Sequence, residues 1–174
     1  MKNRVSAIII CLFLSVASVC ATAQENYSDS IQISLLTCSP GPAIYELYGH
    51  TAIRVTNHTT GNDIVFNYGL FDFSSPNFIW RFTLGKTDYL LGAEYYKNFE
   101  RSYTKRGSKI YQQDLKIGKS ESTKLFNLLS THAKPENRVY RYNFLDNNCA
   151  TMALDKIEEA VNGKIKYTQM DTTT

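Results

Sequence analysis

The sequence predicts an α+β domain in which helices pack on an antiparallel sheet. Three observations predict it. Short alternating or apolar segments rich in Ile, Val, Thr and Tyr recur along the chain and are separated by turn residues. Two of them, around residues 50–56 and 63–68, flank the polar turn Thr60-Gly61-Asn62 and read as a hairpin with a long loop. Helical patterns lie between and after the strands in mixed order, not in the regular strand–helix alternation of a parallel sheet.

In chain order, Gln24 to Ser30 is a polar entry segment and Ile31 to Thr37 the first strand. Cys38-Ser-Pro-Gly-Pro42 breaks it, and Ala43 to Tyr48 reads as a short helical turn. His50 to Thr56 is a second strand with Ala52, Arg54 and Thr56 on one face, and Asp63 to Tyr68 a third. Phe71 to Pro76 is an aromatic loop. Asn77 to Leu84 reads as a short helix carrying Phe78, Trp80 and Phe82, and Thr87 to Gly92 as a strand. Glu94 to Arg106 sets Tyr95, Phe99 and Tyr103 four residues apart, a helical spacing. Lys109 to Leu115 is a strand. Ser120 to His132 is a helix with Leu125, Leu128 and Leu129 as its apolar stripe, stopped before Pro135. Arg138 to Phe144 alternates as a strand. Asn148 to Val161 is the clearest helix: Met152, Ile157 and Val161 can face inward, and Gly163 supplies a stop.

The chain start sets the compartment. Lys2 and Arg4 precede an apolar run from Val5 to Val19, and Ala21-Thr22-Ala23 follows as a cleavage signal. Residues 1–23 are therefore expected to be a signal peptide and residues 24–174 a single exported domain. The apolar run is short of the ~20 residues a stable span needs. Loss of Lys2 and Arg4 leaves 17 basic against 16 acidic residues, a balance that argues against a nucleic-acid partner. Cys38 and Cys149 are the cysteines that remain after the leader. Two cysteines in an oxidising compartment invite a disulfide, but a bridge would consume the residue with the best chemical credentials.

That residue is Cys149, in Asp146-Asn147-Asn148-Cys149-Ala150. Asn148 is a natural N-cap, which puts Cys149 at the first helical position. There the unsatisfied amides and the helix dipole favour a thiolate, and the same amides can donate to a developing oxyanion. The alternative is a small buried core cysteine. A thiol nucleophile wants a base. His58 lies in a polar turn and His132 near a helix end, and both are expected at the surface. His50 follows Gly49 and opens a strand, so its direction is set. A third group would hold the far side of the imidazole. Asn67, on the neighbouring strand, is the first choice and Asp72 the second. Tyr48 and Tyr68 could offer hydroxyls to a substrate, with Asn148 beside them. No metal or organic cofactor is expected.

A histidine on a strand, a polar residue on the next strand and an Asn-Cys pair at a later helix start resemble circularly permuted papain-like enzymes. These are the NlpC/P60-type hydrolases and transferases, including the lecithin:retinol acyltransferase group. Four blocks are similar to one family in particular: Leu35-Leu-Thr-Cys-Ser-Pro-Gly41, Tyr48-Gly-His-Thr-Ala-Ile-Arg-Val55, Val65-Phe-Asn-Tyr-Gly69 and Asp146-Asn-Asn-Cys-Ala-Thr151. They resemble the Lnb N-terminal periplasmic domain family, also called DUF4105, which takes its name from a lipoprotein N-acyltransferase of Bacteroidota.

The similarity runs from about Ile31 to Ala160. It implies a permuted papain-like fold in the periplasm and a cysteine–histidine site on Cys149 and His50. It also implies acyl transfer from a phospholipid donor through a Cys149 thioester to an amine, the N-terminus of a lipoprotein. The resemblance further implies membrane-spanning helices beyond Thr174, and the expectation is a domain cut short before them or a stand-alone member. The aromatic segments 71–73 and 78–82 could touch the membrane surface. Two other readings stay open at this point: a cell-wall amidase or peptidase, and an inactive binding module on the same fold.

Overall fold

A computed structural model of the chain describes residues 31–41, 49–71, 76–77, 80–81, 84, 87–141 and 146–165. Six strands form one antiparallel sheet: β1 (Ile31–Cys38), β2 (His50–Asn57), β3 (Asn62–Phe71), β4 (Asp88–Tyr95), β5 (Ile110–Asp114) and β6 (Val139–Arg141). Their spatial order is β5-β1-β2-β3-β4-β6. Among the described residues, three helices of ten or more residues accompany them: α1 (Tyr96–Lys105), α2 (Lys119–His132) and α3 (Cys149–Val161). This is the expected α+β architecture, an antiparallel sheet with packed helices.

Both faces of the sheet are covered, which explains why its central strands read as apolar runs as much as alternations. Ala52 and Ile53 are successive residues and both fully buried. Ile53 joins Ile33, Val55, Phe66 and Leu91 against Leu125 and Leu129 of α2 and Ala153 and Ile157 of α3. Ala52 joins Leu36, Cys38 and Val65 on the other face, against Phe99 and Tyr103 of α1. The period of two along the strands thus divides the core into two layers. The start of α1 is tied down by Arg54, which donates to both carboxylate oxygens of Asp63 (2.8 and 2.6 Å) and stacks its guanidinium 3.5 Å over the Tyr96 ring. Such bidentate, stacked geometry is particular to arginine.

Several boundaries differ from the sequence reading, each for a pairing reason. Glu94 and Tyr95 belong to β4, not to the following helix, because they pair with Val65 and Ile64. β3 runs on to Phe71 because it carries a bulge after Asn67 and then resumes pairing. α3 ends in left-handed turns at Asn162 and Gly163 (φ 54° and 71°), with Gly163 N–H donating to Glu158 O, a helix stop of the αL type. His132, expected at the surface, is half-buried at the end of α2, because one side of its ring lies against Tyr68 in a tilted contact, with centroids 5.5 Å apart. The helical turn expected at 43–48, most of the aromatic loop at 71–76 and most of the short helix at 77–84 lie outside the described residues. Of that helix, Trp80 and Arg81 are helical.

Candidate active site

The site is built where the sheet parts. β2 stays paired to β1 as far as Cys38 opposite His50. Its pairing with β3 stops earlier, at Ile53 opposite Phe66. Beyond that point β3 bulges: Asn67 faces Gly92 and Leu70 faces Leu90, so Tyr68 and Gly69 together stand opposite one residue of β4. A bulge of this kind bends its strand and re-aims the neighbouring side chains.

Two glycines make this geometry accessible. Gly49 has φ +72°, and a Cβ there would lie 2.6 Å from the Cys38 carbonyl oxygen. Only glycine permits that approach, and it sets the entry of His50 into β2. Gly69 has φ +92°, and its open side faces the site. A Cβ on it would lie 3.7 Å from Cys149 Cβ and 3.9 Å from His50 Cε1.

α3 brings Cys149 to this place. Asn148 is its N-cap, as its sequence position implied: Oδ1 accepts from the N–H groups of Ala150 (2.9 Å) and Thr151 (3.0 Å). Thr151 Oγ1 in turn accepts from Asn148 N–H at 2.9 Å. This reciprocal cap fixes the first turn and engages the Asn148 side-chain oxygen in the helix start. Asn148→Ala is expected to cost about 1 kcal/mol. Denaturant titration should show a lower midpoint at unchanged slope, and an unchanged midpoint would remove the cap from this account.

Cys149 and Cys38 are both free thiols. Burial by itself pushes the Cys149 thiol up. Opposing groups outweigh it and hold the thiol below its ordinary value: the hydrogen bond and charge of His50, and the backbone N–H groups of Thr51 and of Cys149 itself. His50 Nε2 meets Asn67 Oδ1 at 2.5 Å, and Asn67 is buried. An amide oxygen accepts, so Nε2 carries the hydrogen. The imidazole's lone pair is then on Nδ1, the nitrogen left for the thiol.

The structure therefore brings Cys149, His50 and Asn67 together. Tyr68 is a correction. It follows Asn67, so its side chain points to the opposite face, and its hydroxyl bonds His132 Nδ1 at 3.0 Å instead of reaching a substrate. Tyr48 and Asp72 lie outside the described residues.

Cys38, for which no chemical role is legible in the sequence, sits directly opposite His50 in the β1–β2 ladder. Burial pushes its thiol up to about 11, against the lowering effect of the Tyr103 hydroxyl and Arg106. The two thiols are thus oppositely tuned. Because thiolate is the reactive form, iodoacetamide should modify Cys149 well before Cys38 at neutral pH. The Cys149 rate should rise with pH below the range of an ordinary thiol, and His50→Ala should move that rise upward. Equal labelling of the two cysteines, read by peptide mass spectrometry, would contradict the assigned tuning.

Thr51 and Gly69 were not singled out from the sequence. Thr51 acts through its backbone and leaves no side-chain signal. Gly69 did leave one, since an isolated glycine in a strand pattern marks a bulge or a close approach.

Residues 20–174 match the model of the family described as the Lnb N-terminal periplasmic domain. No curated protein and no solved structure matches the chain. Among the described residues, no helix is long and apolar enough to cross a membrane.

Proposed function

The chain belongs to the Lnb N-terminal periplasmic domain family, and we propose that it is an exported cysteine acyltransferase that moves an acyl chain from a phospholipid to an amine. The observation that carries this reading is the placement of Cys149 at the N-terminus of α3 in hydrogen-bond contact with His50, whose ring is held in turn by Asn67. The acceptor in this reading is the N-terminal amine of a lipoprotein. The leader at residues 1–23 takes the chain across the membrane, and the fold is that of a circularly permuted papain-like enzyme.

The chemistry runs in two halves. His50 takes the thiol proton as the sulfur attacks the ester carbonyl, forming the C–S bond. The N–H groups of Thr51 and Cys149 lie beside the sulfur, where the oxyanion develops, and donate to it. The tetrahedral species collapses, the C–O bond breaks, and His50 returns the proton to the departing alkoxide, releasing a lysophospholipid and leaving a thioester. The acceptor amine then attacks, His50 removes its proton, the amide forms, and the C–S bond breaks to regenerate the thiol. Asn67 keeps the imidazole in one tautomer through both halves. Covalent catalysis suits the task because it divides one difficult exchange into two easier steps.

The test is intact-mass analysis of the protein incubated with phosphatidylethanolamine vesicles and no acceptor. The expected result is a single acyl adduct, removed by hydroxylamine and mapped to Cys149. Release of peptides from peptidoglycan with no such adduct would favour the cell-wall hydrolase instead.

A further inference from the structure

A second polar site lies on the helical side of the molecule. An open groove of about 640 Å³ runs between α2, α3 and the turn before β6, and none of Cys149, His50 and Asn67 lines it. Its walls combine Lys124, Lys156 and His132 with Thr123, Asn127 and Thr131, and among the described residues no carboxylate lines it. Residues 123, 124, 127, 131 and 132 follow the three- and four-residue steps of α2, so one helix face presents them together.

His132 is the built part of this groove. Its Nδ1 is bonded to the hydroxyl of Tyr68, which is fully buried. Burial raises the Tyr68 hydroxyl, so it keeps its proton and donates. That donation occupies Nδ1 and leaves Nε2–H as the donor of a residue that lines the groove. Burial, with the charge of Lys156, lowers His132, so it acts there as a neutral donor beside two ammonium groups. Lys156 pairs with Glu159 at 2.8 Å, and Lys124 donates to the Glu159 carbonyl and to Asn162 Oδ1. The Glu159 side chain is half exposed, and a surface pair of this kind is weak enough to exchange for a better anion.

We propose that this groove binds a phosphate ester of a polyol, with Lys124, Lys156 and His132 Nε2–H on the phosphate and Thr123, Asn127 and Thr131 on the hydroxyls. Two cations and an oriented neutral donor suit a phosphate. The hydroxyl and amide groups alongside suit a polyol in place of an acyl chain. The site does not depend on the acyltransferase reading.

The probe is glycerol 3-phosphate, titrated into the full chain by calorimetry and by two-dimensional NMR. Saturable binding at or below about 1 mM is expected, with shifts at α2 and the C-terminal half of α3. The double variant Lys124→Gln/Lys156→Gln should weaken it by about tenfold or more, and His132→Gln by less, while Cys149→Ala leaves it unchanged. Inorganic phosphate should bind more weakly than the ester, and glycerol not at all. Vesicles separate the two sources of such a group. Binding to phosphatidylglycerol vesicles that the double variant loses assigns a lipid head group, and binding of the soluble ester alone assigns a soluble ligand. No saturable response, or a response that the double variant keeps in full, overturns the proposal.

Discussion

Cys149→Ser is expected to fold like the parent chain and to form no detectable acyl adduct. The exchange keeps the volume of the side chain and the Asn148 cap, so stability should change little. What it removes is acidity. The environment that lowers the Cys149 thiol combines the His50 hydrogen bond and charge with two backbone N–H groups. A hydroxyl starts so much higher that the same groups cannot ionise it. His50→Ala should lower the rate of adduct formation by about 10²–10⁴-fold, the range associated with a positioned general base. Asn67→Ala should fall between parent and His50→Ala, because the imidazole remains but its tautomer is no longer held. Rates come from the mass-spectrometric adduct assay, with circular dichroism to confirm the fold. Retention of more than about a tenth of the rate by Cys149→Ser would refute the nucleophile.

Phe99→Ala carries the largest expected change in stability. Phe99 is fully buried, and its ring lies 4.5 Å from that of Tyr103. It is the main apolar side chain with which α1 covers Leu36, Ala52 and Val65. Removing a buried phenyl ring costs about 3–5 kcal/mol through lost transfer energy and the cavity left behind. For a domain of this size the melting temperature should drop by on the order of 10–15 °C. A second readout locates the damage. Cys38 shares this layer and is buried, so its alkylation should accelerate in the variant. A melting temperature within about 3 °C of the parent would mean that α1 is not the cover described.

Much of this arrangement can be read from residues alone, for reasons that differ by element. Asn148 and Cys149 are legible because an N-cap fixes the first helical position locally. His50 is legible because Gly49 and the strand that follows constrain it. The partnership with Asn67 follows from hairpin pairing, although the ladder there is already open. Tyr68 misleads because it is next to Asn67 in the chain, whereas adjacent strand residues face opposite sides and its hydroxyl meets His132. His132 is legible only in part: its place near a helix end suggests solvent, and it does line an open groove, but its Nδ1 partner is 64 residues away. The start of α1 is misplaced because Glu94 and Tyr95 suit a helix locally and are claimed by long-range pairing with β3. Local rules thus succeed at caps and turns and fail where a distant strand decides.

The gap between β2 and β3, where His50 and Cys149 meet, also ties the tuning of this thiol to the folded state. The sulfur and the imidazole that tunes it are 99 positions apart in the chain, and they meet only after the sheet has paired and α3 has docked against it. Contacts of such long range form late, because the loop must close before they repay it. In an unfolded or half-folded chain neither Cys149 nor Cys38 keeps its tuning: the Cys149 thiol loses the groups that lower it, and the Cys38 thiol loses the burial that raises it. Reactivity arrives together with the native state and is lost with it. A molecule that unfolds therefore loses the lowered Cys149 thiol at the same moment.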